Sequence, residues 1–221
     1  MATHIPPAIA RIAPDGNLTP RQIRRIMIDM VMRKGKPGTG SSAEFMRRRT
    51  AENPWPDLRE ILKSVEWAIV GVVATRAYMP ERMTQAMDIL VYESTGEMVI
   101  KLLEQAGYRV SSGLTTSGCL MLAPDETIVN VIFGHEVWLK KALSDPGKDP
   151  AGYPVIRLPY LVMMKMNAQR TRDMGDLGTM LGWASDADLD AVRAVVKQYA
   201  PEDLEDLESL IFIGKREQEN P

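Results

Sequence analysis

Near residue 158 the apolar pattern of this chain changes period, and that change constrains the fold more than any other feature. Before it, apolar residues come in short runs bounded by turn residues: Glu66-Trp-Ala-Ile-Val70, Met87-Asp-Ile-Leu-Val91, Tyr108-Arg-Val110, Gly118-Cys-Leu-Met-Leu-Ala123, Thr127-Ile-Val-Asn-Val-Ile-Phe133 and Val155-Ile-Arg-Leu158. Compact runs of this kind predict strands. Pro124-Asp125-Glu126 makes a β-hairpin of the fourth and fifth. Helical segments lie between and before them. Asp57 to Lys63 has Asp57 placed to favour its N-terminus, Val72 to Tyr78 stops before Pro80, Thr95 to Ala106 ends at Gly107, and Glu136 to Leu143 follows the hairpin. After the change, Pro159 to Leu181 predicts one long helix. Ser185 with Asp188 predicts a capping box for the next, and a strongly acidic helix starts at Pro201. The expected fold is α+β: a mixed β-sheet flanked by helices, then a helical C-terminal part. Residues 1–52 form a basic N-terminal extension and linker, 53–158 the α/β core, and 159–221 the helices that pack on it.

Size and composition narrow the function classes. A chain of 221 residues buries a core without staples. One cysteine, Cys119, excludes a disulfide framework, and with only His4 and His135 beside it a zinc finger is excluded as well. Cys119 sits mid-strand with no adjacent cation and is expected to be buried and inert. The longest apolar stretch, Trp67 to Thr75, falls far short of the ~20 residues of a membrane span. No basic-then-apolar leader opens the chain, so a cytoplasmic protein without a membrane partner is expected. The 15 methionines fit adaptable core packing better than a cofactor box.

Charge is unevenly placed. The net charge is −2, yet residues 1–50 hold 10 Lys/Arg against 3 Asp/Glu, and residues 51–221 hold 17 against 26. The arm carries Arg21, Arg24, Arg25, Arg33, Lys34 and Lys36, then Arg47-Arg48-Arg49. Two expectations stand side by side: an arm that contacts RNA or phosphate, with steep salt dependence, or one that folds onto its own acidic body or a second subunit. Residues 1–17, rich in Pro and Gly, are expected to be poorly ordered. Thr19-Pro20 then starts a helix, with Ile23, Ile26, Met27, Met30 and Val31 at helical spacing. Gly35-Lys-Pro-Gly-Thr-Gly-Ser-Ser42 invites a phosphate-loop reading, but no Lys follows its last Gly and no strand precedes it. It is expected to be a linker.

The usual catalytic signatures are missing: no G-x-S-x-G elbow, no H-E-x-x-H and no G-x-G-x-x-G after a strand. Two segments remain, Val70 to Val91 and Leu158 to Leu177. Along the second, Lys165, Gln169, Arg172, Asp173 and Asp176 lie within about a quarter turn if the helix is continuous. Such a stripe is either the phosphate-facing wall of a cleft or a surface helix with ion pairs such as Arg172–Asp176.

These segments resemble the DNA-polymerase-β-like nucleotidyltransferases, in particular the AbiE-type abortive-infection toxin branch of bacterial proteins. In that family a strand ends in Gly-Gly or Gly-Ser, a helix follows, and the next strand is entered through R-x-T-x-D-(I/L)-D. A later helix reads roughly M-K-x-x-A-x-R-x-x-D-x-x-D-L. Here the counterparts are Gly71-Val72, then Arg82-Met-Thr84-Gln-Ala86-Met-Asp88-Ile, then Met164-Lys165-Met-Asn-Ala168-Gln-Arg170-Thr-Arg-Asp173-Met-Gly-Asp176-Leu177. The resemblance covers roughly residues 57–182 and implies a nucleotidyltransferase-like core. It implies Asp88, Lys165 and Asp173 as the residues of the chemistry. Gly71, Arg82, Thr84, Lys165, Arg170 and Asp176 would bind nucleotide, and Asp88 with Asn130 would hold Mg²⁺ or Mn²⁺.

The sequence departs from that pattern at three positions. Family members hold two metals with three carboxylates, and those metals bind the triphosphate and activate the acceptor hydroxyl. Here Ala86 replaces the first carboxylate, and Asn130 is the nearest candidate for the third. Val72 replaces the second small residue and would crowd a phosphate at the backbone. The expectation is a nucleotidyltransferase-like protein, a pseudoenzyme with weak or lost transfer, that binds NTP or RNA between core and C-terminal helices. Two alternatives stay open. One is an active, toxin-like enzyme modifying tRNA or protein. The other is an interaction module, part of a toxin–antitoxin pair or a homo-oligomer, using the basic arm and the acidic helices.

Overall fold

The structure is a computed structural model. It describes residues 10–29 apart from 16, 20, 23 and 27, and residues 55–80, 84–114, 117–168 and 171–219. The linker Gly35 to Ser42, the cations Arg33, Lys34, Lys36 and Arg47 to Arg49, and the site candidates Arg82 and Arg170 lie outside the described residues.

The short apolar runs assemble into one seven-stranded mixed sheet in the order β3-β4-β5-β2-β1-β7-β6. Its middle is β1 (Trp67–Val70), antiparallel to β2 (Ala86–Tyr92), which is parallel to β5 (Ile128–Gly134). β5 makes the expected hairpin with β4 (Gly118–Leu122), and β4 pairs with the exposed edge strand β3 (Arg109–Gly113). On the far side β1 runs parallel to β7 (Pro154–Val155), which folds back on β6 (Gly147–Lys148). Buried on both faces, β1 reads as an unbroken apolar run, as a central strand should.

β2, β4 and β5 alternate instead, and the alternation sorts the two faces of the sheet. Met87, Ile89, Val91, Val129, Val131, Cys119 and Met121 are buried on one face. There α2 (Gly96–Gln105) brings down Val99 and Leu103, and Gly96 lies against the ring of Phe133. The opposite face carries Ala86, Asp88, Leu90, Asn130 and Ile132. It is covered at one end by α3 (Leu139–Ser144), whose Leu139, like Leu90, packs against Gly134. Between β1 and β2 lies α1 (Gly71–Thr75).

The helical C-terminal part departs from its expected form. The segment predicted as one helix from Pro159 to Leu181 is α4 (Leu158–Ala168) and α5 (Thr171–Trp183) on different axes. Lys165 Nζ reaches Asp173 Oδ1 at 3.0 Å and Asp176 Oδ2 at 2.6 Å. Eleven residues along a single straight helix span ~16 Å, beyond the combined reach of a lysine and an aspartate. The pair of contacts therefore requires a change of direction. α6 (Asp186–Tyr199) begins with the predicted capping box, Ser185 and Asp188 bonding reciprocally. A 3₁₀ turn, Pro201–Asp203, leads into α7 (Leu204–Glu219). α5 and α7 cross at backbone contact: a Cβ on Gly214 would lie 2.1 Å from the Gly178 carbonyl oxygen, and one on Gly182 2.4 Å from that of Gly214.

Smaller differences have local causes. Residues 59–64 form turns rather than a full helix, closed by the Leu62 N–H to the Leu58 carbonyl at 2.8 Å, with the Asp57 carboxylate accepting the backbone N–H and the guanidinium of Arg59 at their start. The helices expected over Val72–Tyr78 and Glu136–Leu143 occupy Gly71–Thr75 and Leu139–Ser144. The strand expected over Val155–Leu158 is shorter and earlier, β7 at Pro154–Val155, with Leu158 already opening α4, and its partner β6 was not expected; a strand of two residues leaves no periodic signal.

Candidate functional site

A cleft of about 1230 Å³ separates the open face of the sheet from α4 and the turn before α7. Gly71, Thr84, Asp88, Asn130 and Lys165, taken from five separate places in the sequence, line it. The strands do the gathering. Asp88 pairs in register with Val70 on one side and with Asn130 on the other. The end of β1, the acidic position of β2 and the amide of β5 therefore meet at one spot.

The local geometry there is tight. Gly71 has φ +66°, a left-handed conformation that side chains resist, and a Cβ on it would lie 2.0 Å from Asp88 Oδ2. The space freed by the missing Cβ is filled by the carboxylate of Asp88, which is thereby packed onto the backbone at the start of α1. Its other oxygen, Oδ1, accepts a hydrogen bond from Asn130 Nδ2 at 2.7 Å. Asn130 Oδ1 is buried with no hydrogen-bond partner. Among the described residues Thr84 bonds locally, its hydroxyl donating to the carbonyl of Ala86.

Mg²⁺ and Mn²⁺ take several hard oxygen ligands at once. Among the described residues no three His, Cys, Asp or Glu side chains come together to supply them. Asp88 faces an amide N–H, and Ala86, one strand period away on the same face, has no ligand to offer. This donor set does not fit a two-metal centre.

Across the cleft, Lys165 is 3% exposed, and its ammonium is shared by Asp173 and Asp176, themselves 1% and 2% exposed. The lysine therefore lines the cleft with its stem while its charge is directed away into α5. Arg172, part of the same sequence stripe, lines the cleft, is exposed and has no ion-pair partner among the described residues. The Arg172–Asp176 pair considered from the sequence is replaced by Lys165–Asp176. Arg172 is a cation that motif matching passed over, although the helical stripe had marked it. The far rim adds Phe133, His135, Glu136, Trp138 and Tyr199, for which the sequence held no motif. Cys119 lies on the buried face, where burial pushes its thiol up.

The basic arm touches the site from outside. Arg24 reaches Met166 and Asp203, both of which line the cleft, while Arg25 pairs with Glu205 and Arg21 donates to the Glu202 carbonyl. Three cations of the arm are thus engaged by the chain's own C-terminal part.

No protein-family model and no curated protein matches the sequence. Among solved structures the chain is similar to the solution structure of the antibiotic-resistance factor ANT(2'')-Ia, at 13% identity and TM-score 0.39, over 80% of this chain and 91% of that one. It is also similar to the crystal structure of ANT(2")-Ia in complex with adenylyl-2"-tobramycin, at 13% identity and TM-score 0.36, over 79% of this chain and 96% of that one. At this level of likeness no residue here takes a role from those proteins. Among the described residues no helix is long and apolar enough to cross a membrane.

Proposed function

We propose that this chain is a nucleotidyltransferase-like protein that binds a nucleoside triphosphate in the cleft and transfers nucleotide weakly or not at all. The observation that carries the reading is the convergence of Gly71, Asp88 and Asn130 at one point with Lys165 across from it. Sequence resemblance alone had grouped these positions. The AbiE-type branch belongs to the same proposal, resting on the block from Met164 to Leu177. The loss of chemistry is supported by the donor set. Two-metal phosphoryl transfer depends on charge positioned at the reacting oxygens, and at the point where these strands meet the carboxylate of Asp88 is already bonded to an amide.

In this reading Arg172, not Lys165, contacts the phosphates, since the ammonium of Lys165 is held by two buried carboxylates. Binding needs no divalent ion. Titrating ATP, GTP, CTP and UTP in turn by calorimetry should give the same affinity in Mg²⁺ as in EDTA. Arg172→Gln should weaken that affinity ~10-fold, as loss of a charge-assisted contact does, with the melting temperature unchanged. A transfer assay with α-labelled NTPs, Mg²⁺ or Mn²⁺, and total RNA or the protein itself as acceptor then separates the alternatives. Silence from the natural chain with label transfer by the double variant Ala86→Asp, Asn130→Asp supports the proposal. Transfer by the natural chain that disappears in Asp88→Ala overturns the lost-activity half of it, and absence of any nucleotide binding overturns the rest.

A further inference from the structure

The N-terminal segment and the cleft meet through one side chain. Arg24 is 6% exposed although it belongs to a segment otherwise carrying solvent-facing cations. Its guanidinium makes two hydrogen bonds and one longer ion-pair contact, in which Nε is not hydrogen-bonded. One terminal nitrogen donates to the Met166 carbonyl at 3.2 Å, the other pairs with Asp203, and Nε faces Asp206 Oδ2 at 3.5 Å. Met166 lies in the last turn of α4, where carbonyls have no intrahelical donor and the helix end attracts positive charge. Arg24 supplies both the donor and the charge. The neighbouring contacts, Arg25–Glu205 and Arg21 to the Glu202 carbonyl, are exposed and hold little by comparison.

Met166 follows Lys165 directly, and Asp203 closes the turn on the other side of the cleft's end. Lys165 is therefore fixed from two directions: by Asp173 and Asp176 of α5 at its ammonium, and by Arg24 at the peptide unit beside it.

We propose that Arg24 is a positioning residue of the cleft: by joining the end of α4 to the turn before α7 it holds Lys165 in place and closes that end of the site. The basic segment is then a built-in wall of the cleft. Nothing in this arrangement requires that the cleft bind a nucleotide, so it stands or falls separately from the proposed function.

The test reads the Lys165 amine directly. The full chain is treated briefly with acetic anhydride at native pH, and labelling of Lys165 is measured by mass spectrometry against Lys215, which donates to the Ala184 carbonyl at 2.7 Å far from Arg24 in the sequence. Arg24→Gln should raise the Lys165:Lys215 labelling ratio about tenfold, as local opening of one helix end does, while Arg25→Gln leaves it unchanged. An unchanged ratio in folded Arg24→Gln, or an equal rise in Arg25→Gln, overturns the proposal. Should Arg24→Gln fail to fold, Asp203→Ala is read in the same way. Asp203→Ala leaves Asp206 beside the arginine, and burial already disfavours the Asp203 carboxylate by raising its pKa. Unfolding of both variants while Arg25→Gln folds would also overturn it, since Arg24 would then hold the fold as a whole.

Discussion

Gly71 and Asp88 share a space that only one of them can fill. The left-handed backbone at Gly71 costs a side chain roughly 1–2 kcal/mol by itself, and the carboxylate stands where Cβ would go. Gly71→Ala should therefore destabilise the protein by more than that strain, measured by urea unfolding. In an Asp88→Ala background the same change should cost little more than the strain, because the carboxylate clash is gone and only the residue-88 Cβ at 3.2 Å and the φ remain. Equal costs in both backgrounds would show that Asp88 does not press on Gly71. At this scale much of the candidate site was legible. Asp88 and Asn130 were picked out as residues on two separate apolar runs, and strand pairing brought them into register. The hydrogen bond from Asn130 to Asp88 was not legible, because amide orientation follows the partner found in the fold. Arg24 was hidden for a different reason. Its partner Asp203 lies 179 residues away, and nothing local marks one arginine of a basic arm as buried.

Elements were legible where their own residues stop or start them. The capping box at Ser185 and the Gly107 stop of α2 are local chemistry, so sequence and structure agree there. Between Ala168 and Thr171 the sequence holds Gln169 and Arg170, both good helix formers, and supplies no stop. The change of direction between α4 and α5 comes from tertiary contact, where Lys165 gains two carboxylates that a straight helix would place out of reach. Charge pairing between α6 and α7 gives a test at this scale. Arg193 binds both oxygens of Glu208, and this hydrogen bonding holds the Glu208 carboxyl below its ordinary value of 4.5 despite partial burial. A carboxyl whose folded pKa is depressed adds stability above its unfolded pKa and loses it as pH falls through the folded one. The natural chain should thus exceed Glu208→Gln by at most ~1 kcal/mol near neutrality, the pair being half exposed. That margin should shrink as pH falls below 4.5 and vanish only once pH is below the depressed folded value. A margin constant down to strong acid would show that the ion pair contributes nothing.

For the whole molecule, Lys165 is the charged link between the α4 wall of the cleft and the rest of the C-terminal helices. Replacing it with methionine leaves two buried aspartates without their shared ammonium, and removing one partner of a buried ion pair costs about 3–5 kcal/mol. Lys165→Met should therefore lower the melting temperature sharply, whereas Arg172→Gln leaves it in place. If the two variants melt alike, the division of labour between these cations is wrong. The overall α+β plan was legible because strand-like apolar runs stop near residue 158 and only helical spacing follows. How the C-terminal helices are stacked was not, since that depends on which faces meet.

One of those meetings reaches further than packing. On α5 Gly182 and the carbonyl of Gly178 meet Gly214 of α7, while Asp173 and Asp176 reach Lys165 of α4. The backbone contact with Gly214 tolerates no sliding, so it works as an indexing notch that sets the rotation of α5 about its own axis. A single residue inserted between Asp176 and Gly178 would turn one end against the other by about 100°. The helix would then have to choose between keeping its notch and keeping its grip on the lysine.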